Sequence, residues 1–309
     1  MKIEQELANI TPQRETLLTV GMFDGVHAGH RYLLEKLQQR AAEKNLLSGV
    51  VTFNPHPQLV LHPHDQLSWL SDVEDRIKTL KELGINIVAV LTFTPEVARL
   101  SAKEFISLVK RYLKMRGIMV GPNFALGRGA EGNISLLRTL GQAMNFDVEV
   151  IQPYMINGEI VSSTLIRQAL AQGDMRGVQR LMGRPFYLRG EVITSDKRGR
   201  VLGFPTANLD IKPQQALPGN GLYATITLVD GKQFSSATNI GTRPTFLERE
   251  KIVETHLLNY KGNLYGKGIV VEFVKKLRDE QHFPSCDALK IQIERDLREV
   301  EALLGRCPK

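Results

Sequence analysis

"LLTVGMFDGVHAGHRYLLEKLQQRAAEKN", residues 17–45, decides the fold of the first half of the chain. Its front, Leu17 to Phe23, is a short apolar run of the kind that forms a buried strand. From Arg31 to Asn45 the apolar residues Leu33, Leu34, Leu37 and Ala41 recur at helical spacing. A strand that runs straight into a helix is the opening of a βαβ unit. Working outward, the alternation continues. "SGVVTFN" (48–54) reads as a strand, "DVEDRIKTLKELG" (72–84) as a helix and "INIVAVLTF" (85–93) as a strand. "AKEFISLVKRYLKMRG" (102–117) reads as a helix, "IMVGPNF" (118–124) as a strand, "ISLLRTLGQAMNF" (134–146) as a helix and "DVEVIQP" (147–153) as a strand. Strands this short and β-branched belong in a parallel sheet covered by helices on both sides, a Rossmann-like α/β domain. Two short helical stretches follow, "STLIRQALAQG" (163–173) and "MRGVQRLMG" (175–183).

After Gly183 the period changes. Residues 184–195, 221–241 and 251–280 alternate as strands do, with Gly or Asn at the turns, and "VDGK" (229–232) carries the Asp-Gly pair favoured by tight hairpins. Only 286–305 returns to helical spacing. This half reads as a small antiparallel β-barrel with a C-terminal helix. The domains expected are 1–183 and 184–309.

Composition narrows the function. With 42% hydrophobic and 24% charged residues the chain is an ordinary globular protein. No apolar run approaches the roughly 20 residues that span a bilayer, so no membrane is expected. The start, "MKIEQELANITPQRE", carries acids and lacks the apolar core of a secretory signal. Cys286 and Cys307 suggest neither a disulfide framework nor a metal site, which fits the cytoplasm. The net charge is +7, but Lys and Arg are scattered and lack interleaved aromatics. That pattern suits phosphorylated small molecules better than nucleic acid.

The junction between strand and helix carries the chemistry. Gly21, Gly25 and Gly29 let backbone approach a ligand, and the helix start offers unpaired N–H groups to phosphate. His27 and His30, three apart, can face one point and supply further N–H donors. Such a group suits attack on the α-phosphate of a nucleotide, with no covalent intermediate. A zinc pair would need a third ligand, and none is evident.

"GMFDGVHAGH" (21–30) resembles the H-x-G-H motif of nucleotidylyltransferases, in the form found in bacterial bifunctional riboflavin kinase/FAD synthetases. "TFNPHP" (52–57), "GPNFALGRGAEGN" (121–133) and "VSSTLIR" (161–167) resemble that family's later motifs, in the family's order. The resemblance implies that Gly21, Phe23, Asp24, Gly25 and Gly29 form the phosphate loop with His27 and His30. It places Asn123 on the nucleotide phosphates, with Ser162, Ser163, Thr164 and Arg167 at another helix start. Ser and Thr suit that position as caps, and an arginine one turn on suits phosphate oxygens. Leu126 stands where the family usually has an aromatic residue. His56, between two prolines, is as well suited to a structural role as to a catalytic one.

"PTAN" (205–208) is similar to a motif of riboflavin kinases. The Thr206 hydroxyl and the Asn208 carbonyl are hard oxygen ligands of the kind Mg²⁺ takes beside ATP phosphates. Gly199 and Gly203 bracket the segment and can bring amides to those phosphates. Alternation puts Glu254 and His256 on the face opposite Val253, Thr255 and Leu257. The resemblance makes Glu254, rather than its rival Glu272, the base for the ribityl 5′-hydroxyl. It also places Arg278 and Phe283 beside the flavin.

The expected function is therefore double: riboflavin to FMN with Mg-ATP in the second half, and FMN to FAD with ATP in the first. Two alternatives are a nucleotidylyltransferase for another phosphorylated acceptor and a basic nucleic-acid-binding module.

Overall fold

The computed structural model describes residues 2–64, 67–194, 203–244 and 249–305. The chain forms two compact units, Met1–Ser163 and Thr164–Lys309. In the first, strands β1 (Thr16–Val20), β2 (Leu47–Asn54), β3 (Ile87–Thr92), β4 (Met115–Val120) and β5 (Asp147–Val150) form one parallel sheet in the order β3-β2-β1-β4-β5. Every residue of β1 is buried, as expected for a strand covered on both faces.

Alternate side chains feed two cores. Leu18 and Val20 join Val51, Leu91 and Ile118 beneath helices α1 (Lys2–Ala8), α6 (Ala102–Leu113) and α7 (Ile134–Met144). Leu17 joins Val50 and Met119 on the other face, under Leu34, Leu37 and Ala41 of α2 (Ala28–Glu43) and Leu80 of α4 (Val73–Glu82). The short helices α3 (Pro57–Leu61) and α5 (Pro95–Ala98) begin at prolines, whose missing N–H costs nothing in a first turn.

Two of the boundaries that differ from the sequence reading shape the site and the sheet beneath it. Helix α2 starts at Ala28 rather than Arg31, because His27 serves as its cap. That puts His30 inside the first turn. Helix α6 stops at Leu113, with Lys114 left-handed at φ 50°, and β4 begins at Met115. The neighbouring strand sets this stop: Thr16 Oγ1 donates to Leu113 O at 2.7 Å, and Thr16 N donates to Lys114 O at 3.0 Å. Apolar periodicity alone had carried the helix through to Gly117.

The strand order turns back between β1 and β4, the switch point where open α/β sheets bind ligands at their carboxyl ends. A two-stranded ribbon follows β5, made of β6 (Met155–Ile156) and β7 (Glu159–Ile160).

The second unit opens with the remainder of α8 (Ser163–Gln172) and α9 (Met175–Met182). These belong with the barrel. Gly219 N donates to Leu170 O at 2.9 Å, and α9 packs on β8 (Phe186–Ile193) and β13 (Gly268–Arg278). With β9 (Ala207–Asp210), β10 (Gly221–Val229), β11 (Lys232–Pro244) and β12 (Arg249–Leu257), these strands close an antiparallel barrel ordered β10-β11-β12-β9-β8-β13. The Asp-Gly hairpin is present, with φ 48° at Asp230 and 78° at Gly231, the two positive values of a type I′ turn.

A long helix, Cys286–Leu304, lies across β10 and β11, where Ala224 and Ala237 are small enough to admit Val300. Asp296 of that helix, 6% exposed at its side chain, accepts Arg278 Nε and Nη2 at 3.1 and 2.8 Å. Removing the acid strands a largely buried guanidinium. Asp296→Ala should therefore lower the stability of the barrel unit by about 3 kcal/mol. The test is calorimetry: the barrel transition should move down, while the fluorescence of Trp69, the chain's one tryptophan, keeps its midpoint because it reports on the first unit.

Candidate functional sites

Strand β1 ends at Val20 and the chain turns sharply through left-handed backbone, φ 52° at Phe23, 75° at Gly25 and 41° at Val26. A side chain in that region costs about 1–2 kcal/mol, so something must hold the turn. Burial of Phe23 is one anchor, at 2% exposed. Asp24 is the other: its buried carboxylate accepts Leu70 N at 2.8 Å and Ser71 N at 3.2 Å. Gly25 N donates to Ser71 Oγ at 3.0 Å. Asp24 thus braces the loop.

The turn delivers His27 to the cap of α2. Its Nδ1 accepts the His30 amide at 3.3 Å, so a neutral His27 carries its proton on Nε2. The His30 ring stacks on His27 with centroids 3.6 Å apart and planes 17° from parallel, and it tilts against Phe23 at 5.0 Å. A Cβ at Gly29 would meet the His27 ring and Val161 O, each at 3.2 Å, so a side chain there would crowd the stack. Burial, with the charges of His27 and Arg76 nearby, pushes the His30 pKa well below 6.5 and keeps the ring neutral.

A cleft of about 310 Å³ opens on this pair, lined also by Gly29, Gly121, Tyr154, Ser162 and Ser163. Ser163 Oγ donates to Asp24 O at 3.3 Å, which ties the start of α8 to the histidine loop. Asn123 stands exposed in the loop after β4, two residues beyond Gly121 at the cleft wall. Thr164 and Arg167 continue along α8 in the second unit.

Beside it lies a larger apolar cavity of about 540 Å³, whose walls include Gly21, Met22, Phe53, Phe93, Phe105 and Phe124. No single motif announces it, since its aromatics come from separate strand ends, a loop and a helix. Leu126 lines this cavity too, with four phenylalanines supplying the aromatic surface. His56 caps α3, its Nδ1 accepting Gln58 N at 3.1 Å, which is a structural role.

In the barrel unit, Glu254 of β12 sits directly opposite Asn208 of β9 and Asn239 of β11. Residues paired this way share a face. Val253, Thr255 and Leu257 are buried, whereas Glu254 and His256 are only partly so, as alternation predicts. Asn239 was missed, because only the register reveals it. Glu272 lies on β13, separated from β9 by β8.

A cavity of about 510 Å³ is lined by Thr206, Tyr260, Asn263 and Tyr265. His256 Nδ1 lies 2.8 Å from Pro205 O, anchoring the Pro-Thr-Ala-Asn segment. Gly203 adopts φ 90°, open to glycine at no steric cost, while Gly199 lies outside the described residues. Arg278 is engaged by Asp296, and its guanidinium stands 5.8 Å from the Phe283 ring. Among the described residues no group of three or more His, Cys, Asp or Glu side chains is arranged to hold a metal.

Two family models match the chain, FAD synthetase over residues 9–165 and riboflavin kinase over 182–304. Curated relatives match almost throughout. The bifunctional riboflavin kinase/FMN adenylyltransferase of Escherichia coli (strain K12) is 38% identical over 300 residues, covering 96% of each chain. The chain belongs to the bifunctional riboflavin kinase/FMN adenylyltransferase family. Members from Pseudomonas fluorescens and Bacillus subtilis (strain 168) are 36% and 32% identical, and 98% and 93% of this chain is covered. A solved structure described as a macrolide-efflux protein from Streptococcus pneumoniae superimposes with a TM-score of 0.89 at 26% identity, covering 97% of each chain. Among the described residues no helix is long and apolar enough to cross a membrane.

The depressed pKa of His30 has a measurable consequence. An unfolded His30 takes up a proton as pH falls through 6.5, and the folded one resists. The unfolded state then binds more protons, so acidification costs stability. His30→Gln should lose less stability than the parent between about pH 7.5 and 5.5 in urea melts followed by Trp69 fluorescence.

Proposed function

We propose the following division of labour for the family's two activities, with 1–183 as the adenylyltransferase and 184–309 as the kinase. The barrel unit phosphorylates riboflavin to FMN with ATP, and the α/β unit joins FMN to the AMP part of ATP, giving FAD and pyrophosphate. The reading rests above all on the stacked imidazole pair at the start of α2, with His30 held neutral, in a cleft at the switch point of the sheet.

In the α/β unit the FMN phosphate oxygen attacks the α-phosphorus of ATP. The bond from that phosphorus to the bridging oxygen breaks, and pyrophosphate leaves. His27 presents Nε2–H to the phosphate oxygens, and His30 offers the free edge of its ring. Gly29 lets backbone close on the phosphates, Gly21 borders the apolar cavity, and Phe23, Asp24 and Gly25 hold the loop in its left-handed course. Asn123, Ser162 and Ser163 supply further donors. The flavin ring occupies the apolar cavity among Phe53, Phe93, Phe105 and Phe124, with Leu126 as its aliphatic wall.

In the barrel unit Glu254 takes the proton from the ribityl 5′-hydroxyl as that oxygen attacks the γ-phosphorus. Thr206 and Asn208 would hold Mg²⁺, and Gly203 would bring its amide to the phosphates. These residues fit that ion. Both are neutral oxygen donors, Asn208 is buried, and it pairs with Glu254 across the strands, a donor set of the hard-oxygen kind that Mg²⁺ takes. Bound there, the metal would neutralise charge on the phosphate oxygens. Arg278 and Phe283 border the flavin, with Arg278 held in place by Asp296. We infer that the partners are these small molecules, with neither nucleic acid nor a membrane among them, and that the protein works in the cytoplasm.

Incubation with riboflavin, ATP and Mg²⁺, followed by chromatographic separation of the flavins, tests this. The parent should make FMN and then FAD. His30→Ala should stop at FMN. Glu254→Ala should slow FMN formation by on the order of 10²–10⁴-fold yet still convert added FMN to FAD. Equal loss of both activities in either folded variant would sink the assignment.

A further inference from the structure

Arg76 is a charged residue that neither catalytic motif contains, and it is 5% exposed. It projects from α4, where Nη1 donates to Met22 O at 2.7 Å and Nη2 to Phe53 O at 3.0 Å. Thr52 Oγ1 donates to the same Met22 carbonyl at 3.1 Å. Nε is buried with no partner. Burial pulls the guanidinium pKa down, and nearby Asp24 and Asp72 favour the charged form. A buried charge spent on two main-chain carbonyls stabilises a fold poorly compared with an apolar side chain of similar volume. A reason beyond stability is therefore called for.

The two carbonyls supply one. Met22 leads from the end of β1 into the left-handed turn that carries His27, and Phe53 is next to the end of β2. Both residues line the apolar cavity. The backbone that Arg76 grips is thus one wall of the cavity and the root of the imidazole pair.

We propose that Arg76 is a positioning residue for adenylyl transfer: its forked guanidinium locks the ends of β1 and β2 together and so sets the spacing between the apolar cavity and the phosphate cleft. The proposal rests on the reading of the α/β unit given above, in which FMN fills the first and the nucleotide phosphates the second. A misplacement of about 1 Å between reacting groups can cost on the order of 10²-fold in rate. Substrate affinities, spread over many contacts, change far less.

The test uses the full chain carrying Arg76→Met or Arg76→Lys, well below the melting temperature of each. Turnover is counted per folded molecule, with FMN formation from riboflavin in the same chain as the internal control. For Arg76→Met, kcat for FAD formation should fall on the order of 10²-fold. KM for FMN and for ATP should move by no more than a few-fold, and FMN formation should be unchanged. Arg76→Lys should be intermediate, because an ammonium cannot fork onto two carbonyls. Should the methionine variant fail to fold, the lysine variant decides alone: a lowered kcat at unchanged KM supports the proposal. A parental kcat in Arg76→Lys, a loss that tracks only the folded fraction, or a rise in KM with kcat intact would overturn it. Absence of FAD from the parent would instead overturn the underlying reading.

Discussion

The hydrogen bond from the His30 amide to His27 Nδ1 joins the fold to the chemistry. A helix start has orphan N–H groups, and an imidazole is an unusual cap for one of them. Using Nδ1 as the acceptor fixes the tautomer of a neutral ring, with its proton on Nε2. It also draws the His30 ring against His27, where Gly29 leaves room. The rest of the loop serves this geometry. Three turn residues with positive φ, Phe23, Gly25 and Val26, bring the chain from a buried strand to the cap in very few residues. Asp24 and Arg76 grip the loop from opposite chemical sides, a carboxylate on amides and a guanidinium on carbonyls.

The barrel solves a comparable problem by other means. Its inward hydroxyls, Thr225, Thr227, Ser236, Thr238 and Thr255, are all fully buried and bond to one another at 2.7–2.9 Å. Buried hydroxyls are tolerable only when satisfied, and here each has a partner across the ladder. The chain of bonds crosses β10, β11 and β12, the last of which carries Glu254 on its opposite face. A slip of one residue would orphan the hydroxyls and turn Glu254 inward. The polar interior therefore fixes the register on which Asn208, Glu254 and Asn239 depend.

Much of this was legible in the residues. The βα alternation, the Asp-Gly hairpin and the outward face of Glu254 all follow from short-range rules that the tertiary fold leaves intact. What was illegible depends on partners distant in sequence. The stop of α6 is set by Thr16, which is 97 residues away. Helix α1 shows no strong period, and its place is secured by Ile3 and Leu7 in the core and by Glu6, which accepts Thr92 N at 2.8 Å. The apolar cavity gathers aromatics from several elements, and Asn239 becomes notable only through register. His56 and His256, both open questions or idle in the sequence, turn out to hold backbone through Nδ1.

On the proposed reading, the neutrality of His30 accounts for imidazoles in the α/β unit where the barrel unit would use oxygen ligands. A nucleotide entering the cleft brings several negative charges, so cationic donors would bind it well at rest. Tight binding of the ground state does nothing for the chemical step. Beside Arg76, a second and third buried cation would also be costly without substrate, and the fold avoids that cost by holding His30 neutral. Neutral N–H donors in a low-dielectric cleft gain most where charge grows, on the phosphorus oxygens and the departing pyrophosphate. In the barrel the proton on the attacking hydroxyl must also go somewhere. On the same reading, that requirement accounts for the Glu254 carboxylate opposite Asn208, whereas in the α/β unit the attacking phosphate arrives already ionised and needs no base.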